Sequence, residues 1–315
     1  MNNITDELSY TTEDIAKLLK ISKLTVYDLI KKGELPAYRV GRQMRVDATD
    51  LELYKQQARE GRASRTASPS ANLPRWKTEE GGRPLVITGQ DVSLDILSRH
   101  IEKHTKAYRP LRSHAGSLDS LIAMYQGRAD IVSTHLLDGD TGDYNLPYIR
   151  RILSGFSYVV VNLVTRAAGL CVQPGNPKQI TGWEDLRRDD IRIVNREKGA
   201  GARVLLDEQL RLHGISPRQV RGYADEESNH LGVAGQVVSG AADTGVGIEK
   251  AAALVGAEFI PLIRERYDLV MLKNDANLEW LDAVLSVLKS DPLRKELALV
   301  QGYDLSMTGT ILHET

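Results

Sequence analysis

The chain has 315 residues, 42% of them hydrophobic and 26% charged, with a formal net charge of −1; this is the make-up of a globular protein with more than one domain and a sizeable core. No run approaches the roughly 18 consecutive apolar residues of a membrane helix, the polar N-terminus does not read as a signal peptide, and the single cysteine, Cys171, leaves no internal disulfide framework. The expectation is a cytoplasmic protein without membrane contact. The charge is uneven: residues 20–45 hold seven Lys/Arg against two Asp/Glu, a local basic segment suited to a polyanion.

The first elements in chain order form two short helices. Thr11-Thr12-Glu13-Asp14 offers a capping hydroxyl and carboxylates that favour a helix N-terminus. Ile15, Leu18 and Leu19 then predict one buried face, at i, i+3 and i+4. Lys20-Ile21-Ser22 interrupts the pattern and Ser22 can cap a second helix, in which Val26, Leu29 and Ile30 repeat the spacing until Gly33 stops it. Two amphipathic helices across so short a turn make a helix-turn-helix. The second helix leaves Lys23, Thr25, Tyr27 and Lys31 off its buried face, where such a helix meets base edges in the major groove. Two β-prone runs around Gly41 follow and predict a hairpin carrying Arg39, Arg42 and Arg45, whose guanidinium groups suit DNA phosphates.

These segments, Ser22-Lys23-Leu24-Thr25-Val26-Tyr27, Gly33-Glu34-Leu35-Pro36-Ala37 and Gly41-Arg42-Gln43-Met44-Arg45-Val46 among them, resemble the excisionase/MerR-type winged helix-turn-helix over residues 9–57. The resemblance implies a DNA-binding domain, with base contacts from the second helix and backbone contacts from the wing. Residues 1–57 are therefore expected to form a winged helix-turn-helix domain. Residues 58–83, rich in Ser, Ala, Arg and Pro without a hydrophobic period, read as a linker.

From residue 84 to 315 short apolar runs (85–87, 131–132, 191–194) alternate with amphipathic stretches (94–101, 118–125, 204–212), which predicts an α/β domain with a largely parallel sheet. The apolar run at 158–165 and a later one at 267–272 predict two crossings between two lobes, with a cleft between them. In such folds ligands sit beyond the strand ends, at loops and helix N-termini. Those positions hold Asp91 and Ser93, Ser117, Ser133 and Thr134, the segment from Arg196 to Arg203 with Gly199, Ala200 and Gly201, and Asp243. The Gly199-Ala200-Gly201 turn flanked by Arg196 and Arg203 stands out, because small residues expose amides and arginines can fork onto an oxyanion.

Gly116-Ser117-Leu118-Asp119, Gly127-Arg128-Ala129-Asp130, Gly175-Asn176-Pro177 and the segment 240–248 resemble the periplasmic-binding-protein-like domain fused to such winged helices and, more distantly, the type II receptors for molybdate. The resemblance implies a two-lobed fold closing on an oxyanion or small organic acid. Ala200 and Ala202 stand where that family's loop would carry hydroxyl residues. The expected whole is a non-enzymatic, ligand-responsive transcription regulator. It would act on double-stranded DNA as a homodimer or dimer of dimers, with no cofactor, and sense a small anion, molybdate or tungstate first. Two alternatives stay open in the sequence. A metal sensor could draw on His100, His104, His114, His135 and His230, although paired cysteines and a His-Glu-x-x-His match are missing. A cofactor-biosynthesis enzyme could use a related domain, although no nucleophile elbow or phosphate loop appears and Cys171 reads as a packed thiol.

Overall fold

A computed structural model describes residues 9–31, 35–41, 43–60 and 82–315, and the chain divides into two compact units, residues 1–70 and 71–315. The expectations for Gly33, Arg42 and residues 61–81 of the linker lie outside the described residues.

The first unit runs β1 (Ser9–Thr11), α1 (Thr12–Leu19), α2 (Lys23–Lys31), β2 (Tyr38–Val40), β3 (Gln43–Asp47) and α3 (Ala48–Glu60). Thr11 caps α1 by accepting from the Asp14 amide at 3.3 Å, and the Asp14 carboxylate returns to the Thr11 amide, a reciprocal capping box. Lys20 ends the helix in the left-handed region, at φ 53°. Ser22 then accepts from the Thr25 amide at 3.1 Å and starts α2. Ile15, Val26, Leu35, Val46 and Leu51 form the core.

Leu18 differs from expectation: it is 51% exposed, while Ala16 and Leu19 pack on the core with Ile15. At about 100° per residue, Ile15, Leu19 and Ala16 span one seam and Leu18 falls outside its Ile15 edge. Strand β1 was not anticipated; it pairs antiparallel with β3 and completes a β1-β3-β2 sheet. Helix α3 runs to Glu60, into the stretch read as linker.

The second unit opens with β4 (Arg83–Thr88), α4 (Ser93–His104), β5 (Tyr108–Ser113), α5 (Ser117–Tyr125), β6 (Ile131–Thr134) and α6 (Leu146–Ile152). The 15-residue strand β7 (Tyr158–Val172) then leads to β8 (Asn195–Arg196), α7 (Gly201–Leu212), β9 (Glu226–Glu227), α8 (His230–Val238), β10 (Thr244–Ile248) and α9 (Glu249–Val255). A second 15-residue strand, β11 (Glu258–Leu272), returns to α10 (Leu278–Leu288), α11 (Asp291–Leu297), β12 (Tyr303–Asp304) and β13 (Ile311–Glu314).

The main sheet has the path β10-β7-β11-β6-β4-β5, with β12 and β13 also on β7. Only the β4–β5 and β4–β6 pairs in it are parallel, among the described residues; β10–β7, β7–β11, β11–β6 and the two late strands on β7 are antiparallel. The largely parallel sheet expected from strand–helix alternation is thus corrected. Alternation orders elements along the chain, whereas β7 and β11 are a reversed pair joined through an entire lobe.

That pair is the frame of the domain. In β7, Val159, Val161 and Leu163 enter a core on one face, with Leu94, Leu97, Trp280 and Met271, while Tyr158 and Val160 enter one on the other face, with Leu121, Met124 and Ile149. This period-2 division builds the first lobe on both faces of the sheet. Further along the same strand, Ala168, Leu170 and Val172 pack with Leu205, Leu206 and Leu210, and Cys171 packs with Val194, Val233 and Val237, giving the second lobe. The domain is α/β with two lobes and two strand crossings, and the apolar pattern of both crossings breaks in the middle, at Arg166 and at Arg264-Glu265-Arg266.

Candidate functional site

The break in the pattern lies where the lobes meet. Arg166 is 4% exposed, ion-paired with Asp91 from the β4–α4 loop, and its Nε donates to Glu265 Oε1 at 2.6 Å across the β7–β11 ladder. Its guanidinium lies 4.9 Å from the Tyr267 ring centroid. His135, just past β6, shares a hydrogen bond with Glu265 at 3.0 Å. Burial alone would raise the Glu265 carboxyl, but His135 and Arg166 hold it well below the usual carboxylate range. Asp91 is held low in the same way, with burial opposed by Arg166 and by the amide and hydroxyl bonds it accepts.

Above this cluster is a cavity of about 190 Å³. The first lobe supplies Gln90, Asp91, Val92 and His135; the crossings supply Arg166 and Tyr267; the second lobe supplies Asn229, His230 and Leu231 at the start of α8, with Ile248, Lys250, Ala251 and Leu254. His230 is kept neutral: burial lowers its pKa well below the ordinary 6.5, reinforced by Arg196 and Arg166. Its Nδ1 is buried and has no hydrogen-bond partner among the described residues, and the same holds for Ser93 Oγ at the start of α4. Burial pushes the Tyr267 phenol up to about 12, and its hydroxyl hydrogen-bonds Ser133 at 2.7 Å.

The expected ligand residues divide into three groups. Asp91 lines the cavity, and Ser133 approaches it through Tyr267; Ser93, fully buried, donates its amide to Asp91 at 2.7 Å. Ser117, Thr134 and Asp243 serve the frame. Ser117 Oγ accepts from the His135 amide at 3.3 Å, Thr134 donates to Asn145 at 3.1 Å, and Asp243 accepts from the Arg192 amide at 2.7 Å.

The third group, the Arg196–Arg203 segment, differs most from expectation. Arg196 pairs with Glu197 at 2.7 Å and donates to Gln90 of the first lobe at 2.5 Å. Arg203 pairs with Asp207 and Glu226, at 3.2 and 3.0 Å, and stacks on Tyr223 at 4.4 Å. Gly199, at φ +86°, accepts from the Leu118 amide at 3.0 Å, Ala200 is 2% exposed, and Gly201 lies against the His135 ring. The turn expected to cradle an anion also joins the two lobes, through Gly199 to Leu118 and Arg196 to Gln90. The Gly199 carbonyl meets the first lobe because Gly116 and Gly199 let the two backbones touch: a methyl on Gly116 would sit 2.7 Å from the Gly199 carbonyl oxygen.

In the first unit, Lys31 and Arg39 are exposed and Tyr27 is 44% exposed. Lys23 is ion-paired with Glu13, the Thr25 hydroxyl hydrogen-bonds Ser22 at 2.8 Å, and Arg45, half-buried, donates to Ser9 at 3.0 Å.

With this geometry, residues 98–289 match the PBP superfamily domain and residues 9–59 match a helix-turn-helix domain. The chain belongs to the PBP superfamily. This PBP-superfamily protein is 54% identical over 308 residues to the uncharacterized protein YvgK of Bacillus subtilis (strain 168), the alignment covering 98% of each chain. Among solved structures it is similar to a putative phosphate ABC transporter substrate-binding protein with bound phosphate from Clostridium perfringens, at 14% identity and TM-score 0.52, covering 70% of this chain and 99% of that one. It is also similar to an H2O2-bound mutant of Corynebacterium glutamicum OxyR, at 13% identity and TM-score 0.50, covering 92% and 89%. These two likenesses are of fold.

Sequence reading passed over Arg166, Glu265 and Tyr267, the centre of the PBP domain's cleft. The signal was present: an arginine within a 15-residue strand whose other residues are all uncharged must be paired or lie in a site. His230 was noted only as a metal ligand candidate, yet among the described residues no group of three or more His, Cys, Asp or Glu is placed to hold a metal ion. His100 instead bonds Glu296 at 2.8 Å, while His104 and His114 are exposed. Cys171 is buried and its thiol is pushed up to about 12 by burial. No helix among the described residues is long and apolar enough to cross a membrane.

Proposed function

We propose that this protein is a ligand-responsive transcription regulator, in which a helix-turn-helix domain binds double-stranded DNA and a PBP domain closes on a small effector. The observation that carries the reading is the cavity at the midpoint of both crossings, bounded by both lobes and floored by the Asp91–Arg166–Glu265 network. A solute that touches both lobes binds the closed state better than the open one, and that difference shifts the equilibrium. The volume, below the roughly 300–1,000 Å³ of drug-sized sites, favours a small solute.

The effector we favour is a small anion, with molybdate and tungstate the first compounds to test, followed by phosphate, sulfate and short carboxylates. Because Arg166, Arg196 and Arg203 already hold carboxylates, the charge of such an anion would be met by Lys250 and by neutral donors such as His230. The protein would act in the cytoplasm as a homodimer or dimer of dimers, on half-sites about 34–36 Å apart. It would release its effector unchanged, consistent with a thiol too basic to act as a nucleophile.

A thermal-shift screen of the full chain tests this. A true effector at 100 times its Kd stabilises by about 2.7 kcal/mol and changes affinity for duplexes enriched from a random pool. Absence of any stabilising compound, or a stabilising compound with no influence on DNA affinity, would overturn the reading.

A further inference from the structure

We propose that Leu24 and Tyr27 on α2 read thymine, by packing against its C5-methyl group in the major groove; this rests on the DNA-binding reading above. Leu24 is 75% exposed and Tyr27, one helical turn on, is 44% exposed. An exposed hydrocarbon on the first turn of this helix is unfavourable in water and gains from an apolar partner. The polar side chains on either side are engaged: Lys23 with Glu13, and the Thr25 hydroxyl with Ser22.

Composition narrows the partner further. Helix α2 has no Arg, Asn or Gln, and of its two lysines, which could also read guanine, Lys23 is paired with Glu13 and Lys31 lies in the last turn; the thymine methyl is the apolar feature of the major-groove code. Exposed Lys17, Lys20, Lys31 and Arg39 in the same unit supply charge suited to flanking phosphates. The geometry therefore favours DNA over an apolar protein partner.

The experiment starts from duplexes enriched by the full-length protein from a random pool, resynthesised with deoxyuridine in place of each thymidine in turn. Loss of a buried methyl contact is expected to weaken binding about three- to fivefold at one or two thymines per half-site. Leu24→Ala should bind thymine and uracil duplexes equally at one of those positions while keeping the wild-type salt slope. Its exposure means that no core packing is removed, and an unchanged Tm checks this; if Leu24→Ala does not fold, Leu24→Gln is read in the same way. Uracil-indifferent binding, or an unaltered thymine preference in the folded variant, overturns the inference while leaving DNA binding intact. A variant that keeps its DNA preference but loses self-association by sedimentation assigns the patch to a second copy of the chain, which also overturns it. Failure to enrich any duplex removes the DNA-binding reading itself.

Discussion

Arg166 is a single positive charge between two buried carboxylates, so its removal tests the cleft floor directly. Arg166→Met leaves Asp91 without its counter-ion and Glu265 with His135 alone, and breaking such a buried pair costs about 3–5 kcal/mol, read by denaturant unfolding at pH 7. The pH dependence should also invert. In the wild type both carboxyls lie below their ordinary values of 3.8 and 4.5, so their stabilisation is complete above those values and is lost as pH falls through the lowered ones. In Arg166→Met the buried Asp91 carboxyl, stripped of its counter-ion, binds a proton more readily folded than unfolded, so lowering the pH from 7 toward about 5 should restore stability.

His230 behaves differently. Its folded pKa lies below the ordinary 6.5, so its neutral form favours folding above pH 6.5, and that advantage is lost as pH falls toward the depressed value. The groups that set this are its burial, Arg196, Arg166 and His135, opposed by Glu265. His230→Asn should flatten the fall in Tm between about pH 6.5 and 5.5. An unchanged slope would mean that the ring does not titrate in this window.

At the scale of elements, β7 and β11 couple the lobes because each belongs to both cores. Their ladder is irregular at Pro261/Ile263 and at Tyr267/Asp268, which flank the charged middle and allow a local change of twist there. The opposing surfaces are clasped by Gly116 of the first lobe against Gly199 of the second. Gly116→Ala places a methyl against that backbone, which cannot yield as a flexible side chain would. The expected result is a larger radius of gyration by small-angle scattering and at least tenfold weaker effector binding, with little change in the unfolding transition. Gly235, within α8, has open space where a methyl would project, with no atom within 4 Å, so Gly235→Ala should stabilise the fold by up to about 1 kcal/mol and leave closure unchanged.

For the whole molecule, two compact units imply separable effects. Arg39→Ala, at an exposed wing position, should weaken DNA binding and reduce the salt slope by about one while the effector-induced thermal shift stays as in the wild type. Gly116→Ala should do the reverse, losing the effector-induced shift while binding enriched duplexes as the wild type does without effector. Loss of both activities in either variant would show that the units do not behave independently.

The helix-turn-helix was legible in the sequence because its determinants are local: a capping threonine, a seam of Ile15 and Val26, and a serine restarting the second helix. The alternation of apolar runs likewise announced an α/β domain, and two isolated runs announced two crossings. Tertiary structure alone decided that β7 and β11 are antiparallel partners, since strand direction in a sheet depends on the path between strands. It also decided which polar groups line the cavity between the lobes. Ser117, Arg196 and Arg203 occupy the kinds of position a ligand would use, yet each hydrogen-bonds protein, through near neighbours such as Glu197 and Asp207 and through distant residues such as Gln90 and Glu226. Arg166, Glu265 and His230 become a site only because residues roughly 35 to 100 positions apart converge where two lobes meet, and chemistry that depends on such convergence has no local signature.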